Sequence, residues 1–138
     1  MAAAAGGEHS AAVGEDGSLF VWGYGVYSQL GTGDTASRLA PTRVAGLPAP
    51  VRQVAAGYSH TGIVTEAGDL LMCGLGQDGR LGLGGEDDRA ASTLVARAVF
   101  DGEAVLMVAC GEGHTAAATE GGGVYTLGRG EDVPRHSQ

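Results

Sequence analysis

The sequence predicts an all-β protein, an open arc of four-stranded antiparallel units stacked as propeller blades. Three observations predict it. Glycine supplies 26 of 138 residues, a Gly-x-x-His-Ser/Thr pattern occurs three times, and short apolar segments lie between glycine turns in each copy. Glycine at nearly one residue in five, against an average near 7%, opposes helices, because an interior Gly costs a helix about 1 kcal/mol relative to Ala. The length allows one ordinary domain at most, at roughly 100 to 200 residues per domain.

The pattern reads Gly6-Gly7-Glu8-His9-Ser10, Gly57-Tyr58-Ser59-His60-Thr61 and Gly111-Glu112-Gly113-His114-Thr115, at offsets of 51 and 54 residues. From each histidine the copies align without a gap. Gly17, Gly68 and Gly122 coincide, and Gly-x-Gly recurs at Gly23 and Gly25, Gly74 and Gly76, and Gly128 and Gly130. The first two copies continue in step through Gln29-Leu30-Gly31 and Arg80-Leu81-Gly82, and three residues are inserted between Arg97 and Ala104. Self-similarity at such a period signals a repeat architecture. The chain divides into a single array of units 1–40, 41–91 and 92–138, the first incomplete at its N-terminal side and the third at its C-terminal side.

Within the middle unit the apolar segments are, in order, Thr42 to Val44, Val51 to Ala56, Thr61 to Thr65 and Leu70 to Cys73. Runs this short, bounded by Gly and Pro, read as strands. Glu66-Ala67-Gly68-Asp69 supplies a tight connection, as do Glu15-Asp16-Gly17-Ser18 and Glu120-Gly121-Gly122-Gly123, where Gly provides the positive φ a tight turn needs. Four antiparallel strands per unit make one propeller blade.

Composition removes several function classes. All eight basic residues are arginine, so a phosphate-loop lysine, a Schiff-base lysine and a lysine general base are excluded from this chain. A net charge of −8 with scattered arginines opposes binding to nucleic acid or to anionic membranes. No apolar run reaches the 18 or so residues of a membrane span, and Met1 to Gly7 lacks the basic and long apolar segments of a secretory signal. Cys73 and Cys110 lack partners at metal-ligand spacing and read as reduced thiols. The expected location is cytoplasmic or nuclear, not secreted.

The run GYSHTGIVTEAGDLLMCGLGQDGRLGLG resembles the regulator of chromosome condensation repeat, with its Gly-x-x-His-Ser/Thr, aromatic-x-Trp-Gly-x-Gly and Gln-Leu-Gly elements. His9, Phe20, Trp22, Gly23, Gly25 and Gln29-Leu30-Gly31 carry it best, while Cys73 and Leu127 replace the tryptophan in the later units. The resemblance implies a seven-bladed propeller, of which about two and a half units are present. An open arc follows, either as a fragment or as a chain that associates with itself or a partner through open blade edges. It also implies two functions: a protein-interaction module, or guanine-nucleotide exchange on a small GTPase of the Ran type. Neither the clustered tryptophans of the family's light sensors, nor the separate catalytic domain of its ubiquitin ligases, nor a basic N-terminal tail is expected here.

His9, His60 and His114 occupy equivalent positions, and blade rotation keeps such residues from converging on one zinc at about 2.0 Å; the expected role is a ring hydrogen bond to loop backbone. Gly74-Leu75-Gly76-Gln77-Asp78-Gly79 matches a dinucleotide fingerprint, but the following glycine-rich run cannot form the helix that motif needs. Ser59 and His60 are adjacent in a strand, point to opposite faces and share no proton. No catalytic residue, cofactor or metal is expected. Gly6, Gly31, Gly57, Gly82 and Gly111 join the aligned glycines as structural positions. Tyr24, Tyr27, Arg38 and Arg89 in inter-strand loops, with the acidic Asp87 and Asp88, are the candidate partner-binding residues, Tyr and Arg being enriched at binding hot spots. The expected function is a non-catalytic interaction module.

Overall fold

The computed structural model describes residues 1–128. Strands β1 (Ala2–Ala5), β2 (His9–Val13), β3 (Leu19–Gly23) and β4 (Arg38–Arg43) form the first sheet, in that order. Strands β5 (Val51–Ala56), β6 (His60–Thr65), β7 (Leu70–Gly74) and β8 (Arg89–Leu94) form the second. Strands β9 (Val105–Cys110), β10 (His114–Thr119) and β11 (Val124–Gly128) form the third, again in chain order across the sheet. Every pairing is antiparallel. Two short 3-10 turns, Gln77–Gly79 and Arg97–Phe100, lie in connections.

The strand grouping corrects one expectation. Thr42 pairs with Val21, so the segment at Thr42 to Val44 closes the first sheet and does not open the second. Sequence unit and sheet are out of phase because a repeat can be cut anywhere along its period. Ala2–Ala5, the strand that makes the first sheet four-stranded, was not expected at all. Alanine favours helix, but here Ala2 and Ala4 pack against the core shared with the second sheet, and tertiary packing overrides the local preference.

The sheets stack face to face, and the middle one is covered on both sides. Strands β6 and β7 are therefore buried at every position, whereas β2 alternates between buried and partly buried residues. Ala11, Val13, Leu19 and Val21 of the first sheet pack on Val51, Val54, Ile63 and Leu71 of the second. Val64, Leu70 and Met72 on the opposite face of the second sheet pack on Val105, Val108, Ala117 and Tyr125 of the third. The two junctions use equivalent residues: adding the repeat offset to Val13, Leu19 and Val21 gives Val64, Leu70 and Met72.

Polar clamps reinforce the second junction. The Gln53 side chain acts as a short extra strand, its Nε2 donating to the Val108 carbonyl and its Oε1 accepting from the Val108 N–H, each at 2.8 Å. Arg52 donates to the Val105 carbonyl at 2.8 Å. Phe100 meets Tyr125 edge to face with ring centroids 5.3 Å apart, and the Tyr125 hydroxyl donates to Asp101 at 3.0 Å.

Candidate functional site

Each blade junction contains the same hydrogen-bonded chain. His9 Nε2 lies 2.8 Å from Thr61 Oγ1 of the next sheet, and the Thr61 hydroxyl donates at 2.6 Å to the Gln29 carbonyl in the loop after β3. One repeat on, His60 Nε2 lies 3.0 Å from Thr115 Oγ1, which donates at 2.6 Å to the Arg80 carbonyl. A threonine hydroxyl has a single proton, and it goes to the carbonyl. The imidazole Nε2–H is therefore the donor to threonine, and Nδ1 is the unprotonated nitrogen. Nδ1 of both rings is buried and finds no partner among the described residues. Burial pushes both imidazoles down to about 4, with the positive Arg80 contributing at His60. The ring thus bonds a threonine hydroxyl of the next blade and not loop backbone, which corrects the expected contact.

The strand alternation brings five connections to one end of the array: the turns 6–8, 57–59 and 111–113 and the longer loops 24–37 and 75–88. Backbone bonds staple the turns together, Gly7 N–H to the Gly57 carbonyl at 3.0 Å and Tyr58 N–H to the Gly111 carbonyl at 3.2 Å. At this end lies a depression of about 390 Å3 lined by all three blades, with Tyr27 from the first, Tyr58, Asp78 and Arg80 from the second and Glu112 from the third. Tyr27 and Tyr58 are exposed, as is Tyr24, which meets Tyr27 at a ring-centroid distance of 6.0 Å. Arg80 is held rigidly on the floor. Its Nε donates to the Gln77 carbonyl and its Nη1 to the Glu112 carbonyl of the third blade, each at 2.8 Å, and Asp78 stands 3.7 Å from its Nη2.

The structure separates the candidate residues into two groups. Tyr24, Tyr27, Asp87 and Asp88 are loop residues, as expected. Arg38 and Arg89 instead open β4 and β8, and this corrects their assignment to loops. Arg38 pairs with Asp34 at 3.2 Å, whose carboxyl is held below the usual range first by the Ala36 N–H and then by Arg38. Asp88 caps the loop, accepting from Gly76 N–H at 2.9 Å, where Ser37 serves Gly25 at 3.0 Å one repeat earlier. Tyr58, Arg80 and Glu112 are not candidates from sequence; they fill the variable places beside the repeat's fixed glycines and histidines.

The structural positions also divide. Gly17, Gly23, Gly31, Gly68, Gly74, Gly82, Gly122 and Gly128 have positive φ. Gly6, Gly25, Gly57, Gly76 and Gly111 are needed for space: a methyl group at 57 would sit 2.6 Å from the Gly111 carbonyl and 2.7 Å from the His60 ring. Trp22 pairs with Ser10 on the uncovered face of the first sheet and is partly buried. His114 is exposed. Gly130 lies outside the described residues. Among the described residues no three His, Cys, Asp or Glu side chains gather as a metal site, and no helix is long and apolar enough to cross a membrane. Burial pushes both thiols, Cys73 and Cys110, up to about 12, and both are free.

Comparison with known proteins decides the family. The sequence profile of the regulator of chromosome condensation (RCC1) repeat matches residues 16–64 and 67–118. The chain belongs to the RCC1-repeat family. A second profile of the same repeat matches residues 2–29 and 51–80, the histidine-bearing part of the first two blades. The chain is 40% identical over 126 residues to the ultraviolet-B receptor UVR8 of Arabidopsis thaliana, covering 91% of this chain and 28% of the receptor. It is 38% identical over 127 residues to the probable E3 ubiquitin-protein ligase HERC3 of Homo sapiens, covering 91% of this chain and 12% of the ligase. The chain thus spans about a quarter or less of these relatives. Among solved structures, human WBSCR16 superposes with a TM-score of 0.85 at 25% identity, over 99% of this chain and 38% of that one. Prp20p of Saccharomyces cerevisiae superposes at 0.83 with 24% identity, over 99% and 37%, and shares the fold. The three sheets are accordingly three blades of the family's propeller.

Proposed function

We propose that this chain is a non-catalytic protein-interaction module, and that it binds through the loop end of its blades. One observation carries the reading: Tyr27 and Tyr58, from neighbouring blades, wall a single depression beside the carboxylates of Asp78 and Glu112. Tyrosine offers a large amphipathic contact at low entropic cost, and both rings stand exposed on connections at the loop end. The acidic wall, on a chain of net charge −8, selects a basic segment of a protein partner. The reading places the module in the cytoplasm or nucleus, where Cys73 and Cys110 stay reduced.

Calorimetric titration with an Arg/Lys-rich peptide tests this. Binding is expected to weaken as salt rises, because exposed charges are screened over about 10 Å at 0.1 M. The Tyr27→Ala/Tyr58→Ala double variant is expected to bind at least about tenfold more weakly, the loss of one hot spot. Equal affinity in wild type and double variant would overturn the reading. The structure of Prp20p is described together with its binding to Gsp1p and histones, and nucleotide exchange on a Ran-type GTPase is the second reading. Fluorescent-nucleotide release well above the spontaneous rate in the presence of this chain would favour exchange and contradict a purely non-catalytic module.

A further inference from the structure

We propose that the loop-end depression is a socket for one arginine side chain of the partner, and that it selects arginine over lysine. The inference rests on the interaction-module reading and names the group the site takes. Charge sets the sign. Arg80 is the cation of the lining, only 7% exposed, and it is already committed. Its Nε and Nη1 donate to the Gln77 and Glu112 carbonyls, and its Nη2 faces Asp78. Arg80 is therefore a strut between two blades and not an anchor for an incoming anion. The carboxylates, by contrast, remain open to water, the Asp78 side chain at 48% exposure and Glu112 as an exposed residue. Two negative charges against the one of Arg80 leave the lining short of a single positive charge, and one incoming cation supplies it.

Shape and chemistry choose the cation. A guanidinium is planar and weakly hydrated, stacks on aromatic faces and presents five N–H donors in a fixed fork, whereas an ammonium is a compact, strongly hydrated point charge. The depression has what the fork needs. Tyr27 and Tyr58, exposed at 44% and 59%, supply aromatic rings from two blades, and a cation near such a ring is attracted by its quadrupole. Asp78 and Glu112 stand on the second and third blades, so a cation that bonds both must donate in two directions at once. Arg80 shows the pattern on a small scale, reaching the Glu112 backbone with one terminal nitrogen and facing Asp78 with the other. The volume of about 390 Å3 is at the small end of the roughly 300–1,000 Å3 of ligand pockets. It suits one long side chain and not a helix.

Three peptides of one sequence test the socket on the full chain: an all-lysine peptide, the same peptide with arginine at its central lysine, and the same peptide with citrulline there. The first two carry equal charge, so salt screens them alike and any difference between them belongs to the fork. In calorimetric titration the arginine peptide is expected to bind at least about tenfold more tightly than the all-lysine one, the gain of one hot spot. Citrulline keeps the shape and loses the charge, and is expected to confer no gain. In the Asp78→Asn/Glu112→Gln variant the arginine-to-lysine ratio is expected to fall to about one. Asp78 sits at φ 65°, a left-handed conformation that Asn tolerates, and Glu112 is exposed, so the variant keeps the fold; the peptide comparison on the wild type needs no variant at all. Equal affinity of the wild type for the arginine and lysine peptides overturns the socket and leaves the interaction module standing. So does a citrulline peptide that binds as tightly as the arginine one, or a ratio unchanged in the carboxylate variant. Failure of all three peptides to bind overturns the module and the socket together.

Discussion

Acidification from pH 6.5 to about 4 is expected to remove roughly 3 kcal/mol of folding stability for each of His9 and His60. In the folded chain both rings stay neutral until about 4, whereas in the unfolded chain they take up protons near the ordinary value of 6.5. Between those limits the unfolded state binds more protons, so stability falls as pH falls; above 6.5 the contribution is fully present. The physical cause is geometric. Nε2 already donates to threonine, and a second proton on Nδ1 would be a buried charge with no acceptor. Together the two rings approach the whole stability of an ordinary domain, about 5–15 kcal/mol. Urea melts across this range check it, and His60→Gln, which keeps a donor for Thr115, should flatten the slope by about half. A stability that is level from pH 6.5 to 4 would contradict the neutral-ring account.

Gly57→Ala is expected to cost about 3 kcal/mol, the upper part of the range for overpacking a close-packed site. The new methyl would meet the Gly111 carbonyl at 2.6 Å and His60 at 2.7 Å. The carbonyl is held by Tyr58 N–H and the ring by Thr115, so neither can withdraw without opening the junction between the second and third blades. Gly85→Ala is the control, since nothing lies within 4 Å of a methyl there. Thermal melts should show a large drop for the first variant and none for the second; equal behaviour would mean that the junction is slack.

The repeat made much of this legible. Glycine and histidine spacing identified the blades because those residues serve backbone geometry and close approach, which recur identically in every unit. The partner of the histidine was written beside it, as Thr61 and Thr115, but the pairing crosses to the next blade and no local pattern shows that. Ala2–Ala5 escaped because alanine has no preference for strand and the pairing with β2 decides. Arg38 and Arg89 looked like loop residues because the connections before them are long and polar, yet both begin strands. Gln53 and Arg80 stabilise the second junction by bonding backbone carbonyls of the third blade, a role that depends on spatial neighbours more than 30 residues away. Tyr58 and Glu112 join the depression for the same reason: each lies in a tight turn whose importance comes from the blade beside it.

The central functional claim is that binding occurs at the loop end. Hydrogen exchange on the full chain, with and without the Arg/Lys-rich peptide, tests it most directly. The account predicts slowed exchange in segments 24–30, 57–59, 75–80 and 111–113, with no change in the turns 14–18, 66–69 and 120–123 at the opposite end. Protection confined to those opposite turns would contradict it.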